Sequence, residues 1–413
     1  MQAAENTPQQ NESPREKLLR AERSVSERVF EREVHIRGLS VGILARAHVL
    51  LLGPKGCAKS ALSRLYCDLI AWDGVPEGQD PYFRTQLRPA STEDEIYGPV
   101  SNAGFEDDTF RRNTTGMVPR AKLAVLEELY TAGSLLKSLL TIMNEGLFKN
   151  GTLPEERVPL RLLIATSNDV PADRDENLDA FHDRFLLRYQ VDYLQDRRNV
   201  RKMMERANSS EAAAREAVSP ILTERDVDAA IQEARKVDVS PVFDAIDEIL
   251  AELADREIVP SDRRREALVH LVKAQAYMNG RTAATRADLD ILAHALWEDP
   301  DGDQIRAVAE VVLRQANPHA AEARDRFDRA TDSYNNAMRA HREAARNPGD
   351  EALQRAESDA GMNANVALKQ TTDKLLELRD AAKTAGADTG LIDGLLKKVL
   401  EMNEEVTSKC LGI

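Results

Sequence analysis

Apolar residues fall in two regimes along this chain. Up to about residue 198, short apolar runs alternate with stretches of helical spacing; beyond it, helical spacing alone remains. Glu16 to His48 reads as helical, with Val29, Phe30, Ile36, Leu39, Ile43 and Leu44 inward. Val49 to Leu52 is long enough for a buried strand, and a helix follows to about Ala71. After a loop from Trp72 to Pro81, Phe83 to Leu87 reads as a strand. Gly98 to Pro119 is a polar excursion. Leu123 to Leu126 and Leu160 to Thr166 read as two more buried strands. Between them Leu135, Leu136, Leu139, Leu140 and Met143 repeat at helical spacing, and Phe148 to Arg157 carries the Asn150-Gly151 signature of a hairpin. Strands alternating with helices predict a parallel, doubly wound sheet, with ligands at the carboxyl ends of its strands.

From Asn199 onward no strand signal is read. Ser240-Pro241 predicts a helix start, with Val242, Phe243, Ile246, Ile249, Leu250 and Leu253 on one face. Ser261 predicts the cap of a second helix, and Asp288 to Trp297 a third. After Pro300 the apolar content falls. Breaks are expected at Asn317-Pro318, Asn347-Pro348-Gly349 and Gly386 to Gly390. This last region reads equally as a small helical bundle or as a projecting arm that docks a partner.

Composition narrows the function. The chain has 413 residues, net charge −14 and 31% charged residues, which argues against a protein that holds nucleic acid on a general basic surface. No apolar run is long enough to span a bilayer. The N-terminal MQAAENTPQQNESPREK has no apolar core and reads as a disordered arm rather than a secretory signal. Cys57, Cys67 and Cys410 have neither metal-ligand spacing nor a disulfide framework, and the cytoplasm is the expected compartment.

The chemistry concentrates at the strand ends. Gly53, Pro54, Lys55, Gly56, Cys57, Ala58, Lys59, Ser60 and Ala61 lie between a strand and a helix, where backbone N–H groups converge on an anion. Lys59 is placed to reach terminal phosphates and Ser60 to ligate Mg²⁺. A positive φ would strain Ala58, so a helical or near-helical conformation is expected there. The second strand ends in Glu127-Glu128, read as a Mg²⁺-holding acid followed by a water-orienting acid. The plainer reading is two solvated acids. Glu127 stands where Asp is usual, and its extra methylene moves the carboxylate by about 1.5 Å; errors near 1 Å can cost on the order of 10²-fold in rate. The third strand leads to Thr166-Ser167-Asn168-Asp169, whose amide could bond the γ-phosphate or the attacking water, though it is also ordinary turn chemistry. In Asp183-Arg184-Phe185-Leu186-Leu187-Arg188 an arginine could act on a neighbouring subunit's nucleotide, or simply pair with Asp on a surface helix. Arg263 and Arg264, after Ser261, are similarly ambiguous: they could touch the phosphates from the helical domain, or simply be solvated in the first turn of a helix.

Together these stretches resemble the MoxR family of AAA+ ATPases, most closely its RavA (regulatory ATPase variant A) branch. The resemblance runs from about Val29 to Val312. It is carried by GPKGCAKS, STEDEIYGP, GMVPRA, LEELYTAGSLLKSLLTIMNEGLFKNG, RLLIATSND, LDAFHDRFLLR and SDRRREALVHLVKAQAYMNGRTA. It implies an α/β P-loop NTPase (AAA+) core with a parallel doubly wound sheet, then an all-α lid domain and a helical C-terminal extension. The corresponding boundaries are a disordered arm at 1–15, the nucleotide-binding domain at 16–198, the lid at 199–317 and the extension at 318–413. It implies phosphate and Mg²⁺ binding by Lys59 and Ser60, Walker B acids at Glu127 and Glu128, and sensor 1 at Asn168. Arg184 would be the arginine finger, with Arg188 as second choice, and Arg263 sensor 2, with Arg264 as second choice. Gly98 to Pro119 would be the family's helix-2 insertion.

The resemblance implies ATP and Mg²⁺ as cofactors, a homohexameric ring and a chaperone-like ATPase. The expected partner is a protein client, a von Willebrand factor A domain protein. ATP is preferred to GTP because no Asn-Lys-x-Asp segment appears. The rivals are a nucleotide-gated scaffold with little turnover, because of Glu127, and a nucleic-acid motor, which the charge disfavours. The chain departs from the RavA branch in Glu127 and in a region after Pro318 that reads as helical where that branch has a β-rich domain.

Overall fold

The computed structural model describes residues 12–101, 110–168, 170, 176–208, 218–300 and 302–412. The expectations for the arm at 1–11, for 102–109 of the excursion and for Asp169 lie outside the described residues. In chain order the elements are α1 (Pro14–Ser26), α2 (Glu33–Ala45), β1 (Val49–Leu52), α3 (Lys59–Asp68), β2 (Ile70–Ala71), β3 (Tyr82–Gln86), β4 (Leu123–Glu127), α4 (Leu136–Glu145), β5 (Leu147–Phe148), β6 (Glu156–Arg157), β7 (Leu162–Ser167), α5 (Glu176–His182), β8 (Leu187–Gln190), α6 (Arg197–Asn208), β9 (Leu222–Thr223), α7 (Glu224–Arg235), α8 (Phe243–Ala254), α9 (Asp262–Met278), α10 (Gly302–Ala316), α11 (Pro318–Arg346), α12 (Glu351–Thr384) and α13 (Gly390–Cys410). No helix among the described residues is long and apolar enough to cross a membrane.

The chain divides into two compact units. The first comprises 1–241, 258–284 and 294–305. Its centre is a five-stranded parallel sheet in the order β3-β4-β7-β1-β8. β1 is buried at all four positions and β7 at all six, as strands covered on both faces should be. The register aligns Leu52 with Ser167, and Glu127 with Thr166. The carboxyl ends of β1, β4 and β7 therefore finish level. β5 and β6 form the expected hairpin. Asn150 fixes this hairpin, because its side chain accepts from Arg112 N at 2.7 Å and donates to Arg112 O at 3.1 Å.

Several expectations need correction. β8 was not read as a strand because its four residues include Arg188; it is buried beside β1. A strand also survives beyond Asn199, since β9 pairs in parallel with β2. α1 begins at Pro14, inside the expected arm, where Ser13 and Glu16 form a capping box. Ser240 does not cap an α-helix. Its hydroxyl and N–H both bond Asp238, Ser240–Val242 forms a 3₁₀ turn, and α8 starts at Phe243. Arg286–His294 is likewise 3₁₀ rather than α. Ser261 does cap α9, accepting from Arg264 N at 3.3 Å.

The second unit comprises 242–257, 285–293 and 306–413. Within it α11, α12 and α13 pack on one another as a three-helix bundle. Its seam has a period of seven. Ala323, Ala330, Ala337 and Ala344 line α11; Gly361, Leu368, Leu375 and Ala382 line α12; Ile392, Val399 and Val406 line α13. The small residues of α11 let the larger ones of α12 and α13 approach closely.

Two histidines of the first unit are enclosed by protein. His48 Nδ1 accepts from Leu163 N at 3.2 Å, so its proton sits on Nε2, which faces Met143 O at 3.4 Å. His294 stacks on Tyr189 with ring centroids 4.3 Å apart. Loss of hydration pushes each from 6.5 down to about 4. The unfolded chain takes up these protons near pH 6.5 and the folded chain near pH 4. Stability is therefore complete above pH 6.5 and falls as pH drops through that window, by about 1.4 kcal/mol per pH unit for each ring. Unfolding midpoints measured between pH 7 and pH 5, above the range where carboxylates titrate, should fall steadily. A flat profile would contradict two neutral, enclosed rings.

Candidate functional site

The level ends of β1, β4 and β7 open on a cleft of about 290 Å³ lined by Lys55 to Ala61, Arg84, Gln86, Glu127, Glu128, Thr166, Ser167 and Asn168. The chain leaves β1 through Gly53, whose N–H donates to Ser167 O at 3.0 Å. Gly56 follows with φ of 81°. α3 starts without a side-chain cap, which leaves its first-turn N–H groups open to an anion. Lys59 Nζ donates to the carbonyls of Gly53 and, at 2.9 Å, Pro54. Ala58 corrects the sequence reading: it is left-handed, with φ of 67° and ψ of 20°, not near-helical. The turn from Gly56 into α3 imposes this geometry, and alanine tolerates it because its Cβ is the smallest.

Glu127 and Glu128 diverge. Ser60 Oγ donates to Glu127 Oε1. Glu128 takes a positive φ of 56°, which turns the chain out of β4. Its Oε1 accepts from Asn168 Nδ2 at 3.1 Å and lies 3.7 Å from Lys55 Nζ. The cleft thus brings together Lys59, Ser60, Glu127, Glu128 and Asn168. A hydroxyl and a carboxylate already in contact form a hard oxygen pair, which suits Mg²⁺. Ser60 and Glu127 are the residues that would hold it.

Sequence reasoning missed Arg84. Its Nε and Nη2 donate to Glu127 Oε1 and Oε2 at 3.0 and 2.9 Å, and Glu127 raises the guanidinium pKa in turn. The only sequence signal was its place on a strand next to β4, and without the strand register that signal cannot be read.

The four candidate arginines lie elsewhere. None lines the P-loop cleft. Arg188 is fully buried and donates to Trp297 O and His182 O, while Arg264 is fully buried and holds Ala295 O, Leu186 O and Asp183. Both bind the backbone from inside. Arg184 and Arg263, with the buried Arg264 in the wall, line a second cleft with Arg46, His48, Asn144 and Glu145. Arg184 Nη1 lies 3.8 Å, and Arg263 Nη1 3.7 Å, from Asp183 Oδ2. Arg184 Nε and Nη1 are buried and donate to no acceptor among the described residues.

Residues 16–231 match the family model described as the MoxR domain in the MoxR-vWA-beta-propeller ternary systems, and residues 241–312 match an AAA lid domain. The chain belongs to the MoxR family of AAA+ ATPases. Two curated proteins of Methanocaldococcus jannaschii are similar to it. "Uncharacterized protein MJ0812" is 31% identical over 89% of this chain and 96% of its own length. "Uncharacterized protein MJ0079" is 32% identical over 76% and 78%. A crystal structure described as a "putative ATPase" from Cytophaga hutchinsonii shares the fold, with a TM-score of 0.58 and 22% identity over 73% of this chain and 94% of that one. The MoxR chain is thus an AAA+ protein with a parallel sheet, an AAA lid and a helical C-terminal region.

The left-handed Ala58 gives a test. Ala58→Val puts a branched side chain at positive φ and should destabilise the loop by about 1–3 kcal/mol and weaken nucleotide binding. Ala58→Gly should keep both. Equal behaviour of the two variants in thermal unfolding and ATP titration would contradict the assigned conformation.

Proposed function

We propose that this MoxR protein is a ring-forming ATPase that hydrolyses ATP to ADP and phosphate and uses the cycle to remodel or activate a protein partner. The observation that carries this reading is one cleft holding Lys59, Ser60, Glu127, Glu128 and Asn168. Lys59 balances phosphate charge, Glu128 accepts from the attacking water and orients it, and Asn168 fixes Glu128. Mg²⁺, when bound by Ser60 and Glu127, neutralises phosphate charge. Arg184 and Arg263, in a cleft apart from the P-loop, are read as groups that act on a neighbouring subunit's nucleotide. This differs from the sequence reading of Arg263, which was a phosphate contact made from the helical domain. A homohexamer is the assembly that the family resemblance supports.

The partner we infer is a von Willebrand factor A domain protein. The matched family model supports it, being described for ternary systems of MoxR, vWA and β-propeller proteins. The narrower RavA assignment rests on motif stretches alone, and the three-helix bundle beyond Pro318 gives it no support. The chaperone-like role follows from the same resemblance, and the cytoplasmic site from the cysteine pattern. A net charge of −14 speaks against a nucleic-acid motor. The second reading, a nucleotide-gated switch with little turnover, draws on one observation: both carboxylate oxygens of Glu127 are engaged by Arg84.

The ATPase rate per subunit should rise with protein concentration. Arg184→Ala should bind ATP yet lose turnover by a factor on the order of 10³, the scale of an arginine finger. Mixing it with Lys59→Ala, which lacks a working P-loop but keeps Arg184, should restore activity. A rate per subunit independent of concentration would contradict a site completed in trans. Bound ATP without turnover at any concentration would favour the switch.

A further inference from the structure

Arg84 belongs to no motif, yet its guanidinium holds both carboxylate oxygens of Glu127 in the cleft. It lies on β3 opposite Val125, with Gln86 opposite Glu127, so Arg84 and Glu127 share a face as diagonal neighbours. That offset suits a long guanidinium and a long carboxylate. The contact is a fork, Nε to Oε1 at 3.0 Å and Nη2 to Oε2 at 2.9 Å, and Ser60 Oγ joins the same Oε1. Arg84 remains half exposed while Glu127 is 15% exposed. The fork therefore reaches inward from the rim of the cleft.

We propose that Arg84 is a positioning residue that makes Glu127 a working substitute for the shorter acid. A glutamate has one more rotatable bond than an aspartate, and each unfixed rotor costs entropy when the group must be held. A bidentate guanidinium fixes both position and plane of a carboxylate, which an ammonium cannot do. With the fork closed, Glu127 is pinned against Ser60 and the extra methylene becomes reach rather than freedom. A carboxylate offers about four lone-pair positions. Arg84 takes two and Ser60 one, which leaves a single position open, on Oε2. Arg84 and Glu127 are thus a matched pair, and the pairing sets the Mg²⁺ dependence of nucleotide binding. This rests on the nucleotide reading of the cleft.

The test is a double-mutant cycle read by binding of a fluorescent ATP analogue, with Mg²⁺ and with EDTA. Arg84→Ala should weaken Mg²⁺-dependent binding about tenfold and leave binding in EDTA unchanged. Arg84→Lys, which keeps the charge but loses the fork, should behave like Arg84→Ala. In a Glu127→Asp background, where the carboxylate is drawn back from the fork, the Arg84→Ala change should matter less than about twofold. An equal loss in both backgrounds, a loss that persists in EDTA, or full rescue by Arg84→Lys would overturn the proposal and make Arg84 a direct phosphate contact or a simple charge. No loss at all would overturn it too. Wild-type protein that fails to bind the analogue, or a Lys59→Ala variant that binds it equally well, would instead refute the nucleotide reading itself. Thermal unfolding of each variant separates these results from misfolding.

Discussion

Gly53 has no room for a side chain. A Cβ there would come within 2.0 Å of Val191 O, and its φ of 151° lies in glycine territory. The same residue donates its N–H to Ser167 O, while Val191 N donates to Leu52 O at 2.7 Å. The turn out of β1 is thus clamped between the ends of β7 and β8. Everything in the cleft depends on this clamp. It sets where the loop from Pro54 to Lys59 begins, and so where Ser60 meets the end of β4. A parallel sheet with level strand ends then supplies the acids and the amide without any long-range adjustment.

The charges of the cleft are arranged in pairs. Glu127 has Arg84, and Glu128 has Asn168 with Lys55 at longer range. Lys55 is largely exposed, so its ion pair contributes little by itself. The two acids are held in opposite senses, one along the strand toward Ser60 and the other turned out by a left-handed residue. The proposed division between a metal-holding and a water-orienting acid rests on that divergence.

The parts of the site that could be read in the sequence are those set by local chemistry. The P-loop, the paired acids and Asn168 each come at or just beyond the end of a short apolar run. Arg84 could not be read in this way. Its partner depends on the register of β3 on β4, and a slip of one residue would turn it to the opposite face. Ala58 was misread because propensity argued against the left-handed conformation that the turn requires. Arg188 and Arg264 look like Arg184 and Arg263 in sequence, and it takes the structure to show that the first two are buried and bound to backbone carbonyls. In the fold, β8 and β9 escaped notice because one contains a buried arginine and the other has two residues. The heptad of α11 was diluted by alanine, which a pattern of large apolar residues does not register.

The central claim is that Glu128 orients the water that attacks ATP in this cleft. The most direct measurement is single-turnover hydrolysis by Glu128→Gln beside its ATP affinity. The glutamine keeps the shape and the contact with Asn168 but is a poor acceptor for the water's proton. The account predicts ATP binding within a few-fold of wild type and hydrolysis slower by about 10²-fold or more. Unchanged hydrolysis with unchanged binding would contradict it.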